Sequence, residues 1–130
     1  MIQKRYLKNY GKNLLKMAKK IKEHEKYHVK ITQSAERDLD EIIEYIAQNN
    51  PSTAIQIMER IIEKIKTLDH FPYRGGYIPE LLAKNIKDYR QISEKPWKIY
   101  YKIDSNIVNV LAIIDSRRNL KDILINKLFK

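Results

Sequence analysis

The 130-residue chain has no cysteine, which excludes disulfides, thiolate metal sites and a cysteine nucleophile and gives no reason to expect an oxidising compartment. It has only three glycines, and neither a glycine-rich phosphate loop nor the G-x-S-x-G of a serine hydrolase occurs. Nucleotide-binding folds built on such loops are excluded with them. No apolar run approaches the ~20 residues of a membrane-spanning helix, and no secretory leader is evident. A cytoplasmic protein without a membrane span is therefore expected. Acids are the other scarcity: 16 Asp and Glu against 26 Lys and Arg give a net charge of +10. What is present in quantity is apolar surface, 43% of residues, enough for one domain to build a core without staples.

The charge is distributed unevenly. Residues 1–26 hold nine bases and two acids, +7; residues 34–69 hold four bases and eight acids, −4; residues 70–130 hold twelve bases and six acids, +6. An acidic segment thus lies between two basic ones, and such polarity says more about partners than the total does.

Hydrophobic periodicity divides the chain further. Ile2, Tyr6, Leu7, Tyr10, Leu14, Leu15, Ala18 and Ile21 recur at three-and-four spacing, which predicts a basic amphipathic helix over 1–26. Such a stripe normally buries itself on its own domain or on a neighbouring subunit; a membrane-surface helix and a nucleic-acid arm are the alternatives. From Tyr27 the period becomes two, predicting a half-buried strand through Thr32. Ser34 is the expected N-cap of a helix carrying Leu39, Ile42, Ile43, Ile46 and Ala47. Asn50-Pro51 opens a second helix with Ile55, Met58, Ile61, Ile62, Ile65 and Leu68 inward. So short a connection makes an antiparallel hairpin. Residues 70–76 are turn material, Pro79–Leu82 a helical turn, and three strands follow at 89–94, 97–104 and 107–115. The last is apolar on both faces, as a strand covered on each side would be. Leu120, Ile123, Leu124 and Leu128 give a C-terminal helical tail. The fold class is α+β: an N-terminal helix, then β-α-α-β-β-β with an antiparallel sheet and the helix hairpin on one face.

One motif is misleading. His24-Glu25-Lys26-Tyr27-His28 spells H-E-x-x-H, the zinc signature in which two histidines one helical turn apart hold the metal and the glutamate activates water. That chemistry requires one regular helix through all five residues. Here the period changes inside the motif, and His28 already belongs to the strand. No metal and no other cofactor is expected.

Several segments, taken in order, resemble the RelE/ParE superfamily of type II toxin-antitoxin toxins: Ala35–Ala47 (AERDLDEIIEYIA), Phe71-Pro72, Tyr89-Arg90-Gln91-Ile92, Ile99–Ile103 (IYYKI) and Ser116–Leu120 (SRRNL). The resemblance covers residues 27 to about 125. It divides the chain into an extension, 1–26, and a RelE/ParE-like toxin domain, 27–130. It implies growth inhibition relieved by a cognate antitoxin, and one of two targets: DNA gyrase, as in ParE-type members, or ribosome-bound mRNA, cut without metal by RelE-type members.

If the chain is an enzyme, the resemblance implies an endoribonuclease, with Arg90, Lys98 and Arg118 as its catalytic candidates. Two departures from the nuclease pattern weigh against it: Ser93 stands where a catalytic arginine is usual, and Leu124 where Tyr or His would carry a proton. Leucine cannot transfer a proton, and arginine is a poor general base or acid. The ParE-like, gyrase-directed reading is thereby favoured over the RNase. A basic nucleic-acid-binding module without toxicity is a further alternative. The candidates for partner or target contact are Arg90, Lys98, Tyr101, Arg117 and Arg118. Of the last two, one is expected to anchor on a carboxylate such as Asp115 or Asp122 while the other faces the partner.

Overall fold

A computed structural model of the chain describes residues 27–129. The helix expected over 1–26, and with it His24-Glu25-Lys26, lies outside the described residues. Strand β1 (His28–Ile31) buries Val29 and exposes Lys30, as the period of two requires. His28 opens this strand, so the H-E-x-x-H spelling does not continue as a helix.

The helix hairpin follows as α1 (Gln33–Ala47) and α2 (Pro51–Lys66). The cap of α1 is Thr32 rather than the expected Ser34: its Oγ1 accepts from the Ala35 N–H at 3.3 Å and donates to the Val110 carbonyl oxygen at 2.9 Å. Thr32 thus starts the helix and stitches it to the sheet, which Ser34, inside the first turn, cannot do. Asn50 caps α2, its Oδ1 accepting from the Thr53 N–H at 3.2 Å, with Pro51 at the first helical position.

After two short 3₁₀ turns, Thr67–Asp69 and Pro72–Arg74, come β2 (Gly76–Tyr77), α3 (Pro79–Leu82), β3 (Tyr89–Glu94), β4 (Trp97–Asp104), β5 (Ile107–Asp115) and α4 (Leu120–Leu128). The sheet order is β1-β5-β4-β3-β2. The expected antiparallel pairing holds from β2 to β5, but β1 runs parallel to β5, His28 opposite Ile107 through Ile31 opposite Val110. The helix hairpin and the strands β2 to β4 that intervene make the long connection that parallel pairing needs.

Leu39, Ile43, Met58, Ile61 and Ile65 of the hairpin pack on Val29, Ile92, Ile99, Val108, Val110 and Ile113 of one sheet face. The opposite face is covered too, by Ile78 and Leu81 around α3 and Leu124 of α4, packed on Tyr100, Ala112 and Ile114. A bulge explains how β5 serves both cores: Tyr100 pairs with Ala112 but Tyr101 with Val110, leaving Leu111 unopposed. The extra residue shifts the alternation, so Val110 and Ala112 face opposite sides.

Candidate functional site

β1 is four residues long and ends opposite Val110, so Leu111–Asp115 of β5 has no strand on that side among the described residues. α1 and α4 flank this bare stretch and leave a cleft of about 650 Å³. Its walls are Ile42, Tyr45 and Ile46 of α1, Trp97 and Ile113 of the sheet, and Ile123 of α4; Asp115, Arg117 and Arg118 lie at its end. Tyr45 is 73% exposed, a large ring held out beside the cleft.

Asp38 replaces the missing strand. Buried on α1, its Oδ2 accepts from the Ile113 N–H at 3.0 Å, while Oδ1 accepts from the Lys127 ammonium of α4. One carboxylate therefore joins α1, β5 and α4. Burial pushes its pKa up, against the lowering effect of Lys127 and of the Ile113 N–H.

At the end of β5 the two arginines have separate roles. Arg117 forms a bidentate pair with Asp115, Nε to Oδ1 at 2.9 Å and Nη2 to Oδ2 at 2.5 Å, and its own N–H also donates to Oδ1 at 2.9 Å. These hydrogen bonds hold the Asp115 carboxyl down at about 2. Arg118 is exposed, and among the described residues its side chain has no hydrogen bond or ion pair. Of the two anchors expected from the sequence, Asp115 holds Arg117; Asp122 instead accepts from Asn119 at 2.9 Å.

The other predicted residues are dispersed. Arg90 lies opposite Tyr101 on the hairpin face of the sheet, where its Nη1 donates to the Gly75 carbonyl oxygen at 2.7 Å. Lys98 lies on the opposite face, donating to Ser93 Oγ at 2.9 Å. Arg90 and Ser93 are also three residues, about 10 Å, apart along β3. Arg90, Lys98 and Arg118 are therefore not gathered on one site. Tyr101, expected to face a partner, is instead fully buried, its hydroxyl spent on the turn at 72–75. Leu124, at the position where a proton carrier would stand, is a fully buried residue of the second core.

The sequence reading missed Asp38, Tyr45, Trp97 and Lys127 as residues of the cleft. Asp38 carried a signal: it lies three residues after Ala35 on the stripe that α1 buries, and a carboxylate at a core position implies a built partner. Lys127, 89 residues away, carried none. Among the described residues no three His, Asp or Glu side chains are grouped to hold a metal ion, and no helix is long and apolar enough to cross a membrane.

Three comparisons bear on this architecture. The chain is similar to Toxin ParE3 of Caulobacter vibrioides, 30% identical over 90 residues, covering 68% of this chain and 86% of that one. Its fold matches a solved structure described as the chromosomal ParDE TA system from P. aeruginosa, with a TM-score of 0.59 at 20% identity over 69% of this chain and 96% of the other. Residues 29–120 match the family model described as ParE toxin of type II toxin-antitoxin system, parDE, a span that includes the hairpin, all of the sheet but its first residue and the Arg117-Arg118 pair, and the chain belongs to that family.

Proposed function

We propose that this ParE-family toxin arrests growth by acting on DNA gyrase in the cytoplasm, and that its antitoxin silences it by laying an amphipathic segment in the cleft between α1, β5 and α4. Membership of the family implies a cognate antitoxin. The observation that carries the reading is the division of labour at the end of β5: Arg117 is pinned by Asp115, and among the described residues the exposed Arg118 side chain has no hydrogen bond or ion pair. A free guanidinium beside a cleft with isoleucine and aromatic walls suits a segment with an apolar face and a carboxylate. The nuclease reading has less support, because its candidate cations occupy different sheet faces and its proton carrier is a buried leucine.

The test is induction of the full chain in bacteria, with and without the adjacent small gene, followed by supercoiling assays with purified gyrase. Growth arrest relieved by the neighbour, and inhibited supercoiling, are expected; Arg118→Ala weakens both toxicity and antitoxin binding while the melting temperature stays put. Efficient cleavage of ribosome-bound mRNA with supercoiling untouched refutes the gyrase target.

A further inference from the structure

The turn between α2 and β2 is held more firmly than a surface turn requires. The buried Tyr101 hydroxyl bonds both Pro72 and Gly75, Arg90 Nη1 donates to the Gly75 carbonyl oxygen at 2.7 Å, and Arg74 Nη1 donates to Thr67 Oγ1 at 3.0 Å. What the turn presents is unusual: Phe71 is 66% exposed, Tyr73 59% and Tyr77 43%. The Arg90 guanidinium is fixed against two of these rings, 5.2 Å from the Tyr73 centroid and 4.9 Å from that of Tyr77. Exposed aromatics around a fixed arginine, on an immobilised backbone, have the composition and pre-organisation of the centre of an interface.

The extension joins the domain at this patch. The Tyr27 ring packs edge-on against Tyr73, with centroids 6.3 Å apart and planes at 84°, so the first described residue lies against the platform. The extension has an apolar stripe that needs a cover, and it lies outside the family match, which begins at residue 29. Its only two acids, Glu23 and Glu25, stand four and two residues before Tyr27 in the sequence, and the patch carries two cations, Arg74 and Arg90. Five residues separate Ile21 from Tyr27, so the six Cα–Cα steps between them reach up to about 20 Å when extended. A tether this short gives an effective concentration on the order of millimolar.

We propose that residues 14–21 of this same chain dock on the platform, with Leu14, Leu15, Ala18 and Ile21 covering Phe71, Tyr73 and Tyr77. The extension is then an intramolecular cover for a surface that the toxin domain leaves apolar. This does not rest on the gyrase reading or on any toxic activity.

The experiment uses the full-length chain with Tyr73 replaced by the photoreactive p-benzoylphenylalanine, irradiated and mapped by mass spectrometry. Adducts within residues 14–21, with a yield unchanged on dilution, are expected. The double variant Leu14→Lys/Ile21→Lys should lower that yield at least about fivefold while the melting temperature of the domain is retained. No adduct overturns the proposal, as do adducts confined to other segments. A yield that falls on dilution also overturns it and places a second copy on the platform. The same probe at Phe71 repeats the test should the Tyr73 variant fail to fold. Without the photoreactive residue, amide hydrogen exchange over 71–77 should be faster in the Leu14→Lys/Ile21→Lys variant than in the parent chain; unchanged exchange refutes the docking.

Discussion

The Tyr101 hydroxyl donates to the Pro72 carbonyl oxygen at 2.6 Å and in turn accepts the Gly75 N–H at 3.0 Å, so one side chain of the central strand closes a turn nearly thirty residues away. Replacing Tyr101 with Phe keeps the ring in the core but leaves a buried carbonyl and a buried N–H without a partner. A buried polar group left unsatisfied costs about 1–3 kcal/mol. Tyr101→Phe should therefore lower stability by that order in urea denaturation and speed hydrogen exchange over residues 72–76. A variant as stable as the parent would mean that the turn closes without the hydroxyl.

The same closure dictates a glycine. A Cβ on Gly75 would stand 2.4 Å from Tyr101 Oη and 2.6 Å from the Gln91 carbonyl oxygen, whereas one on Gly76 meets nothing within 4 Å. Gly75 has a φ of −74°, so close approach and not backbone conformation excludes a side chain. Gly75→Ala should cost about 1–3 kcal/mol through overpacking, and Gly76→Ala should stay within about 0.5 kcal/mol. Equal melting temperatures for the two variants would contradict the crowding at Gly75.

These contacts mark the boundary of what the sequence discloses. Elements with a strong period were readable: α2 begins at Asn50-Pro51, and the three long strands lie where alternation places them. Thr32 was passed over as a cap because half its role is a bond to Val110, a residue whose nearness depends on the parallel β1–β5 pairing. Alternation cannot give that pairing direction, since a strand of four residues has the same period either way. At the site, two adjacent arginines with an acid two residues earlier were enough to foresee that one is anchored and the other free. The cleft was not readable, because its walls come from both ends of the described chain. Tyr101 was misjudged as partner-facing because IYYKI places two tyrosines side by side, and the sheet buries both, one on each face.

Asp38 gives a pH-dependent prediction. Burial holds its pKa above the ordinary value of about 3.9, and Lys127 works against that rise. A carboxyl with a raised folded pKa stabilises the fold less as pH increases past the unfolded value, because the folded state keeps the proton longer. Lys127→Met removes the opposing ammonium, so Asp38 should titrate higher still. The stability lost relative to the parent should be greatest near neutrality and shrink in acid. Asp38→Asn retains an acceptor for the Ile113 N–H and should be milder than Asp38→Ala, which leaves that N–H unpaired at about 1–3 kcal/mol. A Lys127→Met deficit that is constant with pH would show that the ammonium does not stabilise the charged carboxylate.

Asp115 reverses the sign. The hydrogen bonds from Arg117 lower its carboxyl to about 2, below the ordinary value of about 3.9. A depressed folded pKa contributes stability that is complete above the unfolded pKa and disappears as pH falls through the folded one. The stabilisation should therefore fade between about pH 4 and about pH 2. The Arg117 side chain is 75% exposed, so solvent and salt screen the pair and the effect is small. Asp115→Asn should flatten the acid limb of a melting-temperature profile in that window, more visibly at low ionic strength. Arg117→Ala should flatten it equally, because either change removes the bidentate pair, whereas Arg118→Ala should leave most of it in place, since Arg118 acts on Asp115 only through space. An acid limb that follows Arg118 rather than Arg117 would reverse the assignment of anchor and free arginine, and with it the residue offered to the partner.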